Sequence, residues 1–162
     1  MKLFIMRHGQ AQPMASTDKL RVLTDTGRQQ SLIMATWLTK HQQYFDATFV
    51  SPYARALETF DVASQVIKHS QDHHVLEELT PDSSPENCGD TLLAYCAQLK
   101  ATSALVVSHL PLVGLLVADL CKGAVMPNFT TSSIACVELD LDSWQGELLW
   151  HTSYDDVLNS QL

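Results

Sequence analysis

Positive charge is scarce in this chain. Its 162 residues carry 10 Lys and Arg against 18 Asp and Glu, a net charge of −8. Most of such a surface repels a phosphate backbone, which excludes nucleic acid as a partner. Long apolar runs are missing too. The longest, Leu110 to Ala118, stops at Asp119, well short of the roughly 20 residues of a membrane-crossing helix. Arg7 breaks the opening apolar run and no small-residue cleavage site follows, so no secretory signal is expected. Cys88, Cys96, Cys121 and Cys136 have neither CxxC nor metal-ligand spacing. That argues against a zinc site and a disulfide framework, and fits free thiols in a reducing, cytoplasmic setting. Six glycines and six prolines form no linker, repeat or low-complexity tract. One domain over residues 1–162 is expected, of ordinary globular composition with 46% hydrophobic and 17% charged residues.

Against this background the few arginines are informative. Arg7-His8-Gly9 ends the apolar run Leu3-Phe4-Ile5-Met6, which has the pattern of a buried parallel strand. Open α/β sheets bind ligands at the carboxyl ends of their strands. By itself Arg-His-Gly is a weak signal, equally a solvated Arg and a turn Gly at a strand end. Two more segments repeat the pattern. Thr48-Phe49-Val50 reads as a strand, Ser51 as an N-cap and Pro52 as the first helical residue, which puts Arg55 on the first helical turn. Ala104 to Ser108 reads as another strand, ending in His109, with Pro111 starting the next helix. Arg7, His8, Arg55 and His109 thus sit at junctions of one sense, which converge on one edge of a parallel sheet. Two guanidiniums and two imidazoles there make an anion site, most simply for phosphate.

Apolar periodicity predicts strand 2–7, helix 26–40, strand 47–50, helix 52–68, strand 73–77, helix 88–100, strand 103–108, helix 111–121 and strands near 133–140 and 147–152. This alternation predicts an α/β fold, a three-layer α/β/α sandwich on a mostly parallel sheet. The last two strands flank an Asp/Ser/Gly turn and add an antiparallel edge. Leu32, Ala35, Trp37 and Leu38 form the expected buried stripe of the first helix. Pro81 to Gly89 is expected as a loop able to gate the site, and Asp155-Asp156 as a frayed, solvated end. His41, His69, His73, His74 and His151 are expected at the surface.

Four ordered pieces resemble the histidine phosphatase (phosphoglycerate-mutase-like) superfamily. They are Arg7-His8-Gly9, Leu23-Thr24-x-x-Gly27-x-x-Gln30, Ser51-Pro52-x-x-Arg55-Ala56-x-x-Thr59 and Ser108-His109. Phe4 to Gly9, Glu78-Leu79-Thr80-Pro81, Ser108 to Gly114 and Phe129-Thr130-Thr131-Ser132 are most similar to its short SixA-type phosphohistidine phosphatases. The resemblance implies no helical cap insertion, because the interval from Ser51 to His109 lacks the helical lid of larger members. An uncovered site admits a side chain presented on another protein.

The resemblance also implies roles. His8 is the nucleophile, a neutral imidazole whose protonation the neighbouring guanidiniums disfavour, and it carries the phosphoryl group as phosphohistidine. Its other ring nitrogen must hold the proton, with a backbone carbonyl as the natural partner. Arg7 and Arg55 bind phosphoryl oxygens with planar forks, and His109 is a third donor. With the charge neutralised in this way, no metal or other cofactor is needed. Gln10 stands where an acidic residue is common in the family. Glu78, beside Glu77, is the nearest match to the family's general acid, of which a departing imidazole asks less than an alkoxide. Ser51 is first an N-cap, Thr59 a helix-packing residue, and Thr131 and Ser132 are candidate pocket hydroxyls. The expected function is a protein-phosphohistidine phosphatase of a phosphorelay. Its partner is then the phosphorylated histidine phosphotransfer domain of a sensor kinase. The alternatives are a phosphomonoesterase acting on a small-molecule phosphate and a phosphate-binding module without turnover.

Overall fold

Alternate residues of the first strand feed two hydrophobic cores. In the computed structural model, which describes residues 1–160, β1 spans Lys2–Arg7. Leu3 and Ile5 enter one core, Phe4 and Met6 the other, and all four are buried. Successive side chains leave a strand on opposite faces, so an unbroken apolar run marks a strand covered on both sides. Each such side chain contributes about 1.5–3 kcal/mol of burial.

The chain continues through α1 (Asp25–Leu38), β2 (Tyr44–Phe45), β3 (Ala47–Val50), α2 (Ala54–Ala63), β4 (Lys68–His69) and β5 (His73–Val75). It goes on through α3 (Pro85–Leu99), β6 (Ser103–Ser108), α4 (Leu112–Leu120), β7 (Ile134–Asp140), β8 (Gln145–Thr152) and α5 (Tyr154–Asn159). The main sheet has the order β5-β3-β6-β1-β7-β8. Its first four strands run parallel, while β7 and β8 are antiparallel. One face packs α3 and α4 through Leu92, Cys96, Val113 and Leu116. The other packs α1, α2 and α5 through Met34, Leu38, Phe60 and Val157. This is the expected α/β/α architecture with its antiparallel edge, and no helical cap lies between β3 and β6.

Several details differ from the sequence expectations. The helix expected to run to 68 ends at Ala63, because the chain turns there to pair β4 with β2. Ser51 and Pro52 precede α2 rather than starting it, and Tyr53 holds the N-cap position without a side-chain cap bond. The loop expected over 81–89 is shortened because Ser84 accepts from Asn87 N and Pro85 opens α3. Residues 77–79 form a short 3-10 helix, not a strand end. The buried stripe of α1 passes through Ser31, Met34, Ala35 and Leu38, leaving Leu32 exposed. Asp155 and Asp156 open α5, where Ser153 and Asp156 form a capping box and Val157 is buried. Cys88, Cys96, Cys121 and Cys136 are free and buried. Burial pushes the Cys88 and Cys96 thiols up to about 12, which makes them unreactive. Among the described residues no helix is long and apolar enough to cross a membrane.

Candidate active site

The parallel strands end level with one another, and their last backbone groups are bonded across the sheet edge. Arg7 stands opposite Ser108 in the register. His8 N donates to Ser108 O at 2.9 Å, Ser51 N donates to Val107 O at 3.1 Å, and Ser132 N donates to His8 O at 3.1 Å. His8 therefore leaves β1 on a backbone held from both sides. Gly9 is required next: a Cβ there would meet Gly27 O at 2.5 Å and Ser31 Oγ at 2.6 Å. The group that Gly9 lets approach is thus the start of α1, where Thr24 caps the helix by accepting from Gly27 N at 3.0 Å. Thr59 of α2 ties the same turn down. Its hydroxyl accepts from Gly9 N at 3.0 Å and donates to Arg55 O at 2.7 Å.

These ties bring together His8, Arg55 and His109, which are 7%, 3% and 1% exposed. The His8 and His109 ring centroids are 5.0 Å apart. His8 Nδ1 lies 2.7 Å from Gly9 O. A carbonyl only accepts, so Nδ1 carries the proton and Nε2 the lone pair. Arg55 Nε donates to that Nε2 at 3.2 Å. His109 Nε2 lies 2.7 Å from Ser51 Oγ, while its Nδ1 is buried without a partner among the described residues. Arg7 Nη1 donates to Phe129 O at 2.8 Å, and its buried Nε has no partner there. Ser132 serves as backbone support, with its hydroxyl 3.1 Å from Ser31 Oγ, and Thr131 Oγ1 donates to Gln30.

Burial lowers His8 most, to about 3; the Gly9 hydrogen bond opposes this, and the charges of Arg55, Arg7 and Arg21 add to it. Burial, then His8, Arg55, Arg7 and Arg21, lowers His109 to about 2. Both imidazoles are neutral at pH 7. A nucleophilic lone pair beside permanent cations, with its tautomer fixed, is an arrangement suited to accepting a phosphoryl group.

Glu78 stands apart. It is exposed on the 3-10 helix Glu77–Leu79 and forms no hydrogen bond to Arg7, His8, Arg55 or His109. It lines a pocket with Glu77, Ser83, Ser84 and Asn87.

The sequence model for the histidine phosphatase superfamily (branch 1) matches residues 3–81. Phosphohistidine phosphatase SixA of Escherichia coli (strain K12) is 43% identical over 158 residues, covering 94% of each chain. The chain belongs to the histidine phosphatase superfamily. A SixA homologue from Haemophilus influenzae is 36% identical over 93% of this chain and 94% of its own. The structure of the protein histidine phosphatase SixA complexed with tungstate superposes with a TM-score of 0.92 at 40% identity. That match covers 97% of this chain and 99% of the other.

Two parts of this histidine phosphatase were not visible in its sequence. Ser51, expected as a helix cap, is the partner of His109. Asp18 and Arg21 lie beside Arg55, in a segment for which no role was expected: Arg55 Nη1 donates to Asp18 O at 2.8 Å and Nη2 to Asp18 Oδ2 at 3.1 Å. The signal for Arg21 was the scarcity of cations, since a third arginine within reach of the same edge is notable in so acidic a chain.

Proposed function

We propose that this histidine phosphatase is a protein-phosphohistidine phosphatase. Its substrate on this reading is the phosphorylated histidine phosphotransfer domain of a sensor kinase, met in the cytoplasm. The observation that carries the proposal is the His8 ring: Nδ1–H on the Gly9 carbonyl and an Nε2 lone pair that accepts from Arg55 Nε–H. In the first step His8 Nε2 attacks phosphorus, the substrate N–P bond breaks, and the departing imidazole takes a proton from solvent. In the second step water attacks the His8 phosphoryl group, the His8 N–P bond breaks, and phosphate leaves. Arg7, Arg55 and His109 stabilise the equatorial oxygens in both steps. The guanidiniums supply the neutralising charge, so the steps require no cofactor. The edge carries no helical cover, which suits a side chain on a folded partner. A small phosphate ester needs a protonated acid at its departing oxygen, and Glu78, exposed and without a hydrogen bond to Arg7, His8, Arg55 or His109, does not favour that alternative.

The test is phosphate release from a histidine-phosphorylated phosphotransfer domain by the wild type and by His8→Ala. Steady release by the wild type is expected, with a fall of at least about 10⁴-fold in the variant. No release by the wild type, or equal release by both, overturns the proposal.

A further inference from the structure

Asp18 sits in the loop between β1 and α1 and touches two guanidiniums at once. Its carbonyl and its Oδ2 take Arg55 Nη1 and Nη2, while its Oδ1 lies 2.9 Å from Arg21 Nε. Arg55 has five N–H groups in one rigid plane. Two are committed to Asp18 and a third, on Nε, points to His8 Nε2. Two bonds along one side of a planar fork fix its orientation, so the Nε–H direction follows from Asp18. The remaining two N–H groups are left for a ligand.

We propose that Asp18 is a positioning residue: it holds the Arg55 plane with Nε–H at the nitrogen that gains and loses the phosphoryl group, and draws Arg21 to the same rim. The proposal rests on the phosphatase reading above. When the His8 N–P bond forms, Nε2 loses its lone pair and Arg55 Nε–H passes to a phosphoryl oxygen. A plane already fixed does this without reorganisation. The Asp18 charge also offsets part of the positive field of Arg55 and Arg21, which weakens the hold on free phosphate and speeds its departure. Asp18 remains ionised to do this. Asp18 is exposed; its slight desolvation pushes the carboxyl up, but the Arg55 hydrogen bond and the charges of Arg55 and Arg21 outweigh that and hold it below the usual carboxylate range.

The test compares Asp18→Ala and Asp18→Asn with the wild type in three measurements: kcat and KM on the phosphorylated domain, Kd for inorganic phosphate, and Tm. Asp18→Ala is expected to lower kcat about tenfold or more and to bind phosphate about threefold more tightly. Asp18→Asn keeps an oxygen for the Arg55 N–H but no charge. It is expected to recover most of kcat while retaining the tighter phosphate binding. A loop anchor without this role would shift Tm and leave kcat and phosphate affinity unsplit. Wild-type kcat in Asp18→Ala, or phosphate binding unchanged or weakened in both variants, overturns the proposal. If Asp18→Ala does not fold, phosphate affinity in Asp18→Asn decides alone. Failure of the wild type to release phosphate marks the functional reading as wrong, while the phosphate-affinity arm still reads the Asp18 contact.

Discussion

Two groups of histidines occupy the centre and one edge of the fold. His8 and His109 follow the ends of the neighbouring strands β1 and β6, whereas His69, His73 and His74 lie on β4 and the edge strand β5. The inner pair is bound by a backbone carbonyl, a guanidinium and a serine hydroxyl. The outer three lie against aromatic rings, and two of them also have polar partners: His69 Nδ1 lies 2.8 Å from Ser70 O and His73 Nδ1 2.9 Å from Thr48 Oγ1. His73 stacks on Phe60 at 4.5 Å, His74 on Phe49 at 5.5 Å, and His69 lies 5.3 Å from Phe60. Three histidines within six residues make no reactive site there. They cover apolar rings at a sheet edge only three residues long, where a polar rim also discourages pairing with another chain. What sets the inner pair apart is deeper burial, which lowers both rings furthest, and the guanidinium at His8 Nε2.

The largest expected effect separating the two groups is acid lability. Unfolded, each histidine titrates near 6.5; folded, His8 lies at about 3 and His109 at about 2. Between those values only the unfolded chain takes up the proton, so stability present above pH 6.5 falls as the pH drops. From pH 7 to 5 the loss is about 2 kcal/mol for each histidine, about 4 together. Urea unfolding at pH 7 and pH 5 measures it, and His8→Asn and His109→Asn should each remove about half. An undiminished loss in both variants would place the acid sensitivity elsewhere and break the contrast.

A smaller effect concerns the serine that orients His109. Ser51→Ala leaves Nε2 of a buried ring without its partner, at a cost of about 1–3 kcal/mol. Turnover of the phosphorylated domain should fall about tenfold, corresponding to roughly 1.4 kcal/mol of barrier. Wild-type kinetics in Ser51→Ala would mean that His109 is held by packing alone. The smallest effect is expected on the outer edge. His73→Ala loses the Phe60 stack and a 2.9 Å contact with Thr48 Oγ1, about 1 kcal/mol of stability. Its turnover should stay within about twofold of wild type; a larger fall would tie the edge histidines to the site.

That His8, Arg55 and His109 meet at one sheet edge was legible because each sits at a strand-to-helix junction whose local pattern is short and strong. The layer order followed from the same alternation. Partnerships across the chain were not legible. Ser51 meets His109 58 residues away, and Asp18 meets Arg55 37 residues away. Neither pairing leaves a periodic trace, and Ser51 before Pro52 has the same local pattern as a helix cap. Glu78 was ambiguous for a related reason: a carboxylate after a strand reads alike whether it turns inward or, as here, outward. The outer histidines were read as surface residues, yet His74 and His151 each bury Nε2 without a partner among the described residues. The stacking of His74 on Phe49 and the edge-on contact of His151 with Phe129 depend on tertiary packing alone.

The position of β1 between β6 and β7 has a consequence for biosynthesis. Of the strands in this sheet, the one made first is a central one, and its two neighbours begin at residues 103 and 134. Until both emerge, the His8 segment has no parallel partner, no antiparallel partner and no buried pocket to enter. A nascent chain stalled before residue 103 therefore carries His8 as an ordinary titrating side chain on an unpaired apolar strand. In that state it is more a client for chaperones than an enzyme.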